Sequence, residues 1–233
     1  MSFLRSALDD PGAGPCGKCS VCLGAPLLPT TPTAALTQTA VAFLKNSHLP
    51  IEPRKQWPDY RKIQPMHQAE TGRTLSVYGD AGWGNLVKAG KYQTGRFADE
   101  LVEAAADMIR RHWNPTPFPT WVTAVPSLNR PTLVPNFAER LAARLGLPFV
   151  SSVSKLLANA EQKHQQNSFY RQQNLTGAFG VNLPSEYHGQ PVLLVDDVVD
   201  SRWTFAMLAF QLRSGGSGPV FPLALAQATN DDD

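Results

Sequence analysis

The sequence has little cysteine, little excess charge and no long apolar run, and each shortage excludes a class of protein. Its three cysteines are too few for a disulfide framework, and they favour a reducing compartment and metal chemistry. A net charge of +2 is too small to indicate nucleic-acid binding by itself. No apolar run approaches membrane-spanning length, and the start carries Asp9-Asp10 without an apolar segment. We therefore expect a cytoplasmic protein with no signal peptide and no membrane partner.

The most informative stretch runs from Val192 to Thr204. Four apolar residues at its start, rich in valine, are typical of a parallel strand that is buried on both faces. Asp196 and Asp197 follow, at the end of the strand where open α/β sheets bind ligands. A turn that carries hydroxyls then leads into an apolar helical pattern over residues 205–213. A strand, turn and helix of this kind can offer backbone N–H groups and a helix dipole to a phosphate.

This run resembles the phosphoribosyl-pyrophosphate (PRPP) signature of the type I phosphoribosyltransferases. That signature has four apolar residues, two acids, two apolar residues and then Asp/Thr-Ser/Thr-Gly-x-Thr, and one position here departs from it. The resemblance implies that the two acids bind the ribose hydroxyls, directly or through Mg²⁺, and that Asp200 is the candidate general base. The residues that it assigns to PRPP and its 5′-phosphate are Asp196, Asp197, Val198, Val199, Asp200, Ser201, Arg202, Trp203 and Thr204. The alternative is an acidic pair that ends an ordinary strand.

Arg202 is the departure, because it stands where the signature has glycine. Glycine serves where the backbone takes a positive φ or approaches a ligand closely. Another residue in a left-handed conformation costs about 1–2 kcal/mol. The guanidinium of Arg202 either clamps phosphate or fills the pocket, and the sequence does not decide between the two.

A strand, loop and helix precede this motif. Residues 97–109 have the apolar spacing of an amphipathic helix, 121–125 that of a strand, and Leu133–Leu145 that of a second helix with Gly146 as its C-cap. The loop resembles the pyrophosphate loop of ComF-like phosphoribosyltransferases, where Val-Pro precedes a short polar turn with arginine. By that resemblance, the residues that face pyrophosphate are Val125, Pro126, Ser127 and Arg130. The alternative is a plain connection between strand and helix.

Residues 155–179 form a long, polar and weakly periodic segment, which is typical of a mobile active-site loop. ComF-like proteins have a similar run between two strands of the core. The resemblance implies that Lys163 and Arg171 meet pyrophosphate when the loop closes.

Cys16, Cys19 and Cys22 have the spacing C-x₂-C-x₂-C, at which three thiolates can bind one ion. A structural zinc site needs four ligands, so this site is incomplete. The stretch resembles the end of the zinc module of RecQ-type DNA helicases, whose motor is absent here. A fourth ligand could come from Asp9, Asp10, His48, water or a second chain, and the alternative is a loop without metal.

Residues 50–62 interleave basic and aromatic side chains. Such a segment can bind single-stranded DNA by stacking and phosphate attraction, but it is more often a solvated face with packed rings. The candidate contacts are Arg54, Lys55, Trp57, Arg61 and Lys62. Residues 50–88 resemble the segment that joins the zinc module to a phosphoribosyltransferase domain in some bacterial RecQ-type helicases, so a helicase is a second candidate partner.

We predict an α/β protein with a type I phosphoribosyltransferase fold, a mostly parallel central sheet flanked by helices, over residues 95–228. A cysteine segment and spacer (1–48) and a linking segment (49–94) precede it, and an acidic tail (229–233) follows. One predicted function is transfer of phosphoribose from PRPP to an unknown acceptor with Mg²⁺ as cofactor. The other is a non-catalytic module of DNA-repair lineage that senses a nucleotide or binds DNA. Zn²⁺ and a homodimer are further expectations.

Overall fold

The computed structural model describes residues 2–156 and 178–228, and the chain divides into two compact units, residues 1–41 and 42–233. The first unit contains α1 (Ser2–Ala7), α2 (Ser20–Leu23) and the start of α3 (Ala34–Lys45), which continues into the second unit. No helix within the described ranges has both the length and the apolar character needed to cross a bilayer.

The second unit is built on a five-stranded sheet with the order β1-β2-β7-β6-β3. The strands within the described ranges are β1 (Pro50–Ile51), β2 (Gly72–Val77), β3 (Trp121–Ala124), β4 (Val153–Lys155), β5 (Phe179–Val181), β6 (Val192–Val199) and β7 (Val220–Gln227). Strands β2, β7, β6 and β3 are mutually parallel, and β1 is antiparallel to β2 at the edge. Strands β4 and β5 form a separate antiparallel pair.

Helices cover both faces of this sheet. In chain order they are α4 (Gly84–Ala89), extended by a π-helical turn (Gly90–Thr94); α5 (Asp99–Asp107), extended by a π-helical turn (Met108–Trp113); α6 (Leu133–Leu145); and α7 (Trp203–Ser214). Short 3₁₀ turns lie at Pro65–His67 and Ser185–Tyr187. Parallel strands need such coverage because neither face can be left in water.

The alternation of side chains along β6 divides the hydrophobic core into two parts. Leu193 and Val195 pack in one cluster with buried residues of α5 and α6. Val192 and Leu194 pack in the other cluster with buried residues of α7. Successive residues of a strand point to opposite faces, so a nearly continuous apolar run supplies both clusters.

The predicted α/β class, with a mostly parallel central sheet flanked by helices, is confirmed. Helix α6 has the predicted bounds and ends at Gly146 in the left-handed conformation, with φ of 74°. The strand before the acidic pair is longer than its apolar run: β6 continues to Val199 because it stays paired with β7, up to Gln227.

Candidate functional site

The carboxyl ends of the four parallel strands lie along one edge of the main sheet. Asp196 and Asp197 lie in the second half of β6 at this edge, and the predicted phosphate loop follows them. The segment from Val125 to Arg130 leaves β3, the parallel neighbour of β6, and the Val125 N–H donates to the Val195 carbonyl at 2.8 Å. The fold therefore brings the two predicted loops to the edge where open α/β sheets bind ligands.

The turn between β6 and α7 encloses a small cavity of about 50 Å³. This is more than the roughly 10–15 Å³ that one water molecule needs. Its lining residues are Asp196, Val198, Val199, Asp200, Ser201, Arg202, Thr204 and Phe205. The start of α7 adjoins the cavity, and no side chain caps the first turn of the helix at Arg202. Uncapped N–H groups together with the helix dipole attract an anion to this place.

Arg202 adopts the left-handed conformation that glycine adopts readily, with φ of 66° and ψ of 5°. Its Nη1 donates a hydrogen bond to the backbone oxygen of Glu52, at 3.3 Å. The side chain lines the 50 Å³ cavity and also a second cavity of about 260 Å³ on the β1 side of the loop. The departure from the signature therefore falls at a position where the backbone itself carries a steric cost.

The phosphate loop is supported from outside by residues 52–57. Arg54 Nε donates to the backbone oxygen of Ser201 at 2.7 Å, and its guanidinium carbon lies 3.8 Å from the ring centroid of Trp203. The ring of Trp57 stacks on Trp203, with centroids 6.2 Å apart. Trp203, predicted as part of the phosphate loop, is buried in this contact, so it anchors the loop to the core.

The two adjacent carboxyl groups face opposite sides of the sheet, because β6 continues through both residues. On the α5–α6 side, Lys91 Nζ lies 2.8 Å from Asp197 Oδ2. On the α7 side, Asp196 lines the small cavity, and the charge of Lys155 on β4 acts on it. The sequence reasoning missed both lysines, because neither belongs to a motif that points to the acids.

Asp196 is the most strongly perturbed carboxyl group of the site. Burial, and then the charge of Asp197, raise the pKa of Asp196 to about 8. The Asp197 N–H, which donates to Asp196 Oδ1 at 2.8 Å, acts in the opposite direction, as do the charges of Lys91 and Lys155. Burial also lowers the pKa of Lys155. Near neutral pH, Asp196 is therefore largely protonated and can both donate and accept a hydrogen bond, which suits a sugar hydroxyl.

Arg130, from the predicted pyrophosphate loop, packs over an aromatic ring that follows Lys91 in the chain. Its guanidinium carbon lies 4.9 Å from the ring centroid of Tyr92, which follows Lys91 in the π-helical turn. Burial, and then the charge and hydrogen bond of Tyr92, raise the pKa of Tyr78 to about 12, so this hydroxyl stays neutral. The Arg130 N–H also contacts Ser127 Oγ, at 3.4 Å. The charges of Asp197 and Arg130 both act on the Tyr78 hydroxyl, so these groups belong to the same part of the site.

The carboxyl pair does not present the ligand set that Mg²⁺ takes. This ion requires near-octahedral oxygen coordination at about 2.0–2.1 Å, usually from one or two carboxylates together with water and phosphate oxygens. Here the Asp197 carboxylate already carries an ammonium group, and the Asp196 carboxyl points to the other face of the sheet. The residues as arranged do not fit an Mg²⁺ ion that bridges the pair.

In the first unit, the Sγ atoms of Cys16, Cys19 and Cys22 all lie within 4.8 Å of one another. The Cys16 and Cys22 Sγ atoms are 3.7 Å apart. Two sulfurs of a tetrahedral zinc site, with Zn–S of about 2.3 Å, are separated by about 3.8 Å. The Lys18 N–H and then the Cys19 thiol lower the pKa of Cys16 to about 6, which favours the thiolate that binds metal. The Cys16 and Cys22 sulfurs therefore have the separation of two zinc ligands, and the Cys19 sulfur lies within 4.8 Å of both.

The fourth zinc ligand is not supplied by the acids proposed from sequence. Asp9 and Asp10 are not part of the sulfur group, and Asp10 accepts a hydrogen bond from Arg5 Nε at 2.7 Å. His48 belongs to the second unit, where its ring centroid lies 5.3 Å from that of His112.

The candidate nucleic-acid residues divide into two groups. Arg54 and Trp57 contact the phosphate loop, whereas Lys55, Arg61 and Lys62 are exposed. Binding of DNA stays a prediction that rests on those three exposed cations. Lys163 and Arg171, predicted to meet pyrophosphate, lie outside the described residues.

No protein-family model matches the chain, and no curated protein matches it either. Among solved structures, a hypothetical protein from Neisseria gonorrhoeae with bound ppGpp is 18% identical, with a TM-score of 0.35 over 55% of this chain and 65% of its own. An adenine phosphoribosyltransferase from Leishmania donovani is 18% identical, with a TM-score of 0.37 over 60% and 56%. One from Thermoanaerobacter pseudethanolicus is 14% identical, with a TM-score of 0.38 over 82% and 99%. The match thus spans less than two thirds of the first two proteins, and likenesses this distant carry no argument about what this chain binds.

Proposed function

We propose that the protein binds a phosphorylated ribose, either PRPP or a 5′-mononucleotide, at the carboxyl end of β6. The observation that carries this proposal is the cavity between β6 and the uncapped start of α7, which the Asp196 and Asp200 carboxyl groups line. Helix N–H groups and the hydroxyls of Ser201 and Thr204 can hold the 5′-phosphate. The Asp196 and Asp197 carboxyl groups can then accept hydrogen bonds from the ribose hydroxyls.

Arg130 supports PRPP as the ligand within this class. It lies in the segment after β3, at the same sheet edge as the phosphate cavity, and its guanidinium is held over Tyr92. A ribose that carries a 5′-phosphate in the cavity and a pyrophosphate on C1 would place its second anionic group toward this neighbouring segment. Arginine is suited to such a group because its planar fork can hold two oxygens at once.

The reaction we propose for bound PRPP is substitution at C1. A nucleophile forms a bond to C1 while the bond from C1 to the pyrophosphate oxygen breaks, and pyrophosphate leaves with the electron pair. Arg130 would stabilise the charge that develops on the departing group. Asp200, exposed at the edge of the cavity, is the candidate to accept the proton of the nucleophile.

A non-catalytic nucleotide-binding module is the second candidate, and the Lys91–Asp197 ion pair favours it. That pair occupies one of the two carboxyl groups that the signature assigns to the ribose. A site with an internal cation can still bind an anionic ligand without being arranged for turnover.

Calorimetry with ribose 5-phosphate tests the binding proposal, and two threonines at helix starts provide a matched pair of variants. Thr204 lines the cavity at α7, whereas Thr132 is the exposed N-cap residue of α6 and makes no side-chain capping bond. We expect T204V to weaken binding about tenfold or more, the effect of losing one hydrogen bond to a charged group. T132V should bind like the wild type.

Equal affinities for T204V and the wild type would contradict a phosphate at the start of α7. D197N should also weaken binding, by about 1–3 kcal/mol, because a charged hydrogen bond to the ribose is lost. Incubation with PRPP and a set of candidate acceptors separates the two functions. Release of pyrophosphate above the rate of a buffer control indicates a transferase, and tight binding without release indicates the non-catalytic module.

A further inference from the structure

Lys91 is held rigidly against the acidic pair. Its Nζ lies 2.8 Å from Asp197 Oδ2, and the two side chains are only 21% and 14% exposed. Lys91 lies in the π-helical turn after α4, next to the buried Gly90. A Cβ on Gly90 would lie 2.6 Å from a ring carbon of Phe97 and 3.1 Å from a backbone oxygen, so only glycine fits. The close packing of this turn against the core delivers the ammonium group to Asp197.

The second carboxyl group also has a lysine, and it comes from a different element. Asp196 points to the α7 side of the sheet, where the charge of Lys155 on β4 acts on it. Asp197 thus has an ammonium group in direct contact, whereas only the charge of a second ammonium group acts on Asp196. An added Mg²⁺ at Asp197 would be repelled at short range by the Lys91 ammonium group, and the buried Asp196 carboxyl group, largely protonated near neutral pH, does little to attract it.

We propose that Lys91 takes the place of a divalent cation at Asp197, so that this site binds a phosphorylated ribose without Mg²⁺. The ammonium group neutralises Asp197 in the free protein and lies next to the segment that carries Arg130, where the ligand's second anionic group would be. On binding, it can share its three N–H donors between the carboxylate and a phosphate oxygen. The identity of the ligand in this inference rests on the proposed function. The competition between Lys91 and a divalent cation for Asp197 is independent of the proposed function.

A titration with Mn²⁺ alone tests the competition, because carboxylate sites that accept Mg²⁺ also accept Mn²⁺, and electron paramagnetic resonance measures the free ion. We expect no binding to the wild type up to millimolar Mn²⁺. K91Q frees the Asp197 carboxylate and should gain about tenfold or more in Mn²⁺ affinity. K88Q removes an exposed lysine of α4 and is the matched control, with the behaviour of the wild type expected. K91R keeps the charge and should also bind no Mn²⁺.

Binding of Mn²⁺ to the wild type with the affinity of K91Q would overturn the assignment. The assignment would also be overturned if K91Q, shown by circular dichroism to be folded, bound Mn²⁺ as weakly as the wild type is expected to. A second measurement, ribose 5-phosphate affinity in EDTA and in Mg²⁺, addresses the ligand. The wild type should bind equally in both, whereas K91Q should be about tenfold weaker in EDTA and recover in Mg²⁺. Failure of ribose 5-phosphate to bind any of these proteins would refute the proposed function, while the Mn²⁺ result would still decide the role of Lys91.

Discussion

The left-handed conformation of Arg202 predicts an unusual order of stability between two substitutions. At φ of 66°, a residue with a Cβ costs about 1–2 kcal/mol relative to its ordinary conformation. Glycine avoids this cost, but it makes the folded protein about 0.5–1 kcal/mol less stable than alanine does, because glycine has more conformational entropy in the unfolded chain. The steric term is the larger one, so we expect R202G to be more stable than R202A by about 0.5–1 kcal/mol. Both variants lose the guanidinium and its hydrogen bond to Glu52, so these losses cancel in the comparison.

Lys88 supplies the matched control for this prediction. It is exposed within α4, where glycine is less stable than alanine by about 1 kcal/mol. K88G should therefore be less stable than K88A, which is the opposite order to that at position 202. Urea unfolding, followed by tryptophan fluorescence and circular dichroism, measures all four free energies of unfolding. The free energy of unfolding of the glycine variant minus that of the alanine variant should differ by about 1.5–2 kcal/mol between positions 202 and 88.

The reasoning is refuted if R202A is as stable as R202G, or if both positions show the same order. Either result would mean that the loop relaxes out of the left-handed conformation at small cost. The same variants also decide the role of the guanidinium toward the ligand. Because Arg202 lines the phosphate cavity, we expect R202G and R202A to bind ribose 5-phosphate more weakly than the wild type. Tighter binding by both would identify Arg202 as a plug of the cavity.

Three further predictions concern zinc, pH and DNA. Elemental analysis of untreated protein should find about one zinc ion per chain if water or a second chain supplies the fourth ligand that the three sulfurs lack; a ratio near zero would mark the cysteine loop as metal-free. The raised pKa of Asp196 means that the folded protein binds a proton between about pH 4 and pH 8 that the unfolded chain releases. The contribution of Asp196 to the stability of the folded protein is therefore complete below about pH 4 and is lost as the pH rises through about 8. The asparagine of D196N does not titrate, so the thermal midpoint of D196N should rise relative to that of the wild type from pH 5 to pH 9. A difference between the two midpoints that does not change with pH would contradict this. If Lys55, Arg61 and Lys62 form a contact surface, fluorescence anisotropy should show that single-stranded DNA binds with an affinity that falls steeply as the salt concentration rises. An affinity that does not depend on salt, or no binding at all, would rule that surface out.

The parts of the fold that the sequence predicted best are those that local periodicity determines. Helix α6 could be delimited at both ends, because its apolar spacing is regular and Gly146 ends it in the left-handed conformation. The apolar start of β6 was predicted for the same reason. Its extension to Val199 was not, because the pairing of Asp196 with Ala224 and of Val199 with Gln227 is a tertiary contact. That extension is what sends the two acids to opposite faces of the sheet.

The residues that the sequence did not reveal reach the site from other elements. Lys91 lies in a turn about one hundred residues before the acids, and Lys155 lies on the small β4–β5 pair. Arg54 and Trp57 were assigned to a nucleic-acid surface because basic and aromatic residues alternate there. Their contacts with Ser201 and Trp203 depend on a chain reversal that no local pattern encodes. A motif therefore identified the loop but not the groups that hold it.

Arg202 and Lys91 have one effect in common, since each adds positive charge near the place proposed for an anion. Arg202 replaces a glycine, and Lys91 lies on an acid that the signature leaves for the ribose. The ionisable side chains that line the cavity or contact its acids and loops are the cations Arg54, Lys91, Arg130, Lys155 and Arg202 and the acids Asp196, Asp197 and Asp200. Among the described residues, these five cations outnumber the three acids, and burial keeps one of the acids, Asp196, largely protonated near neutral pH. Protein cations here supply the neutralisation that a divalent ion would otherwise provide, so the affinity for a polyanionic ligand should depend on ionic strength more than on Mg²⁺.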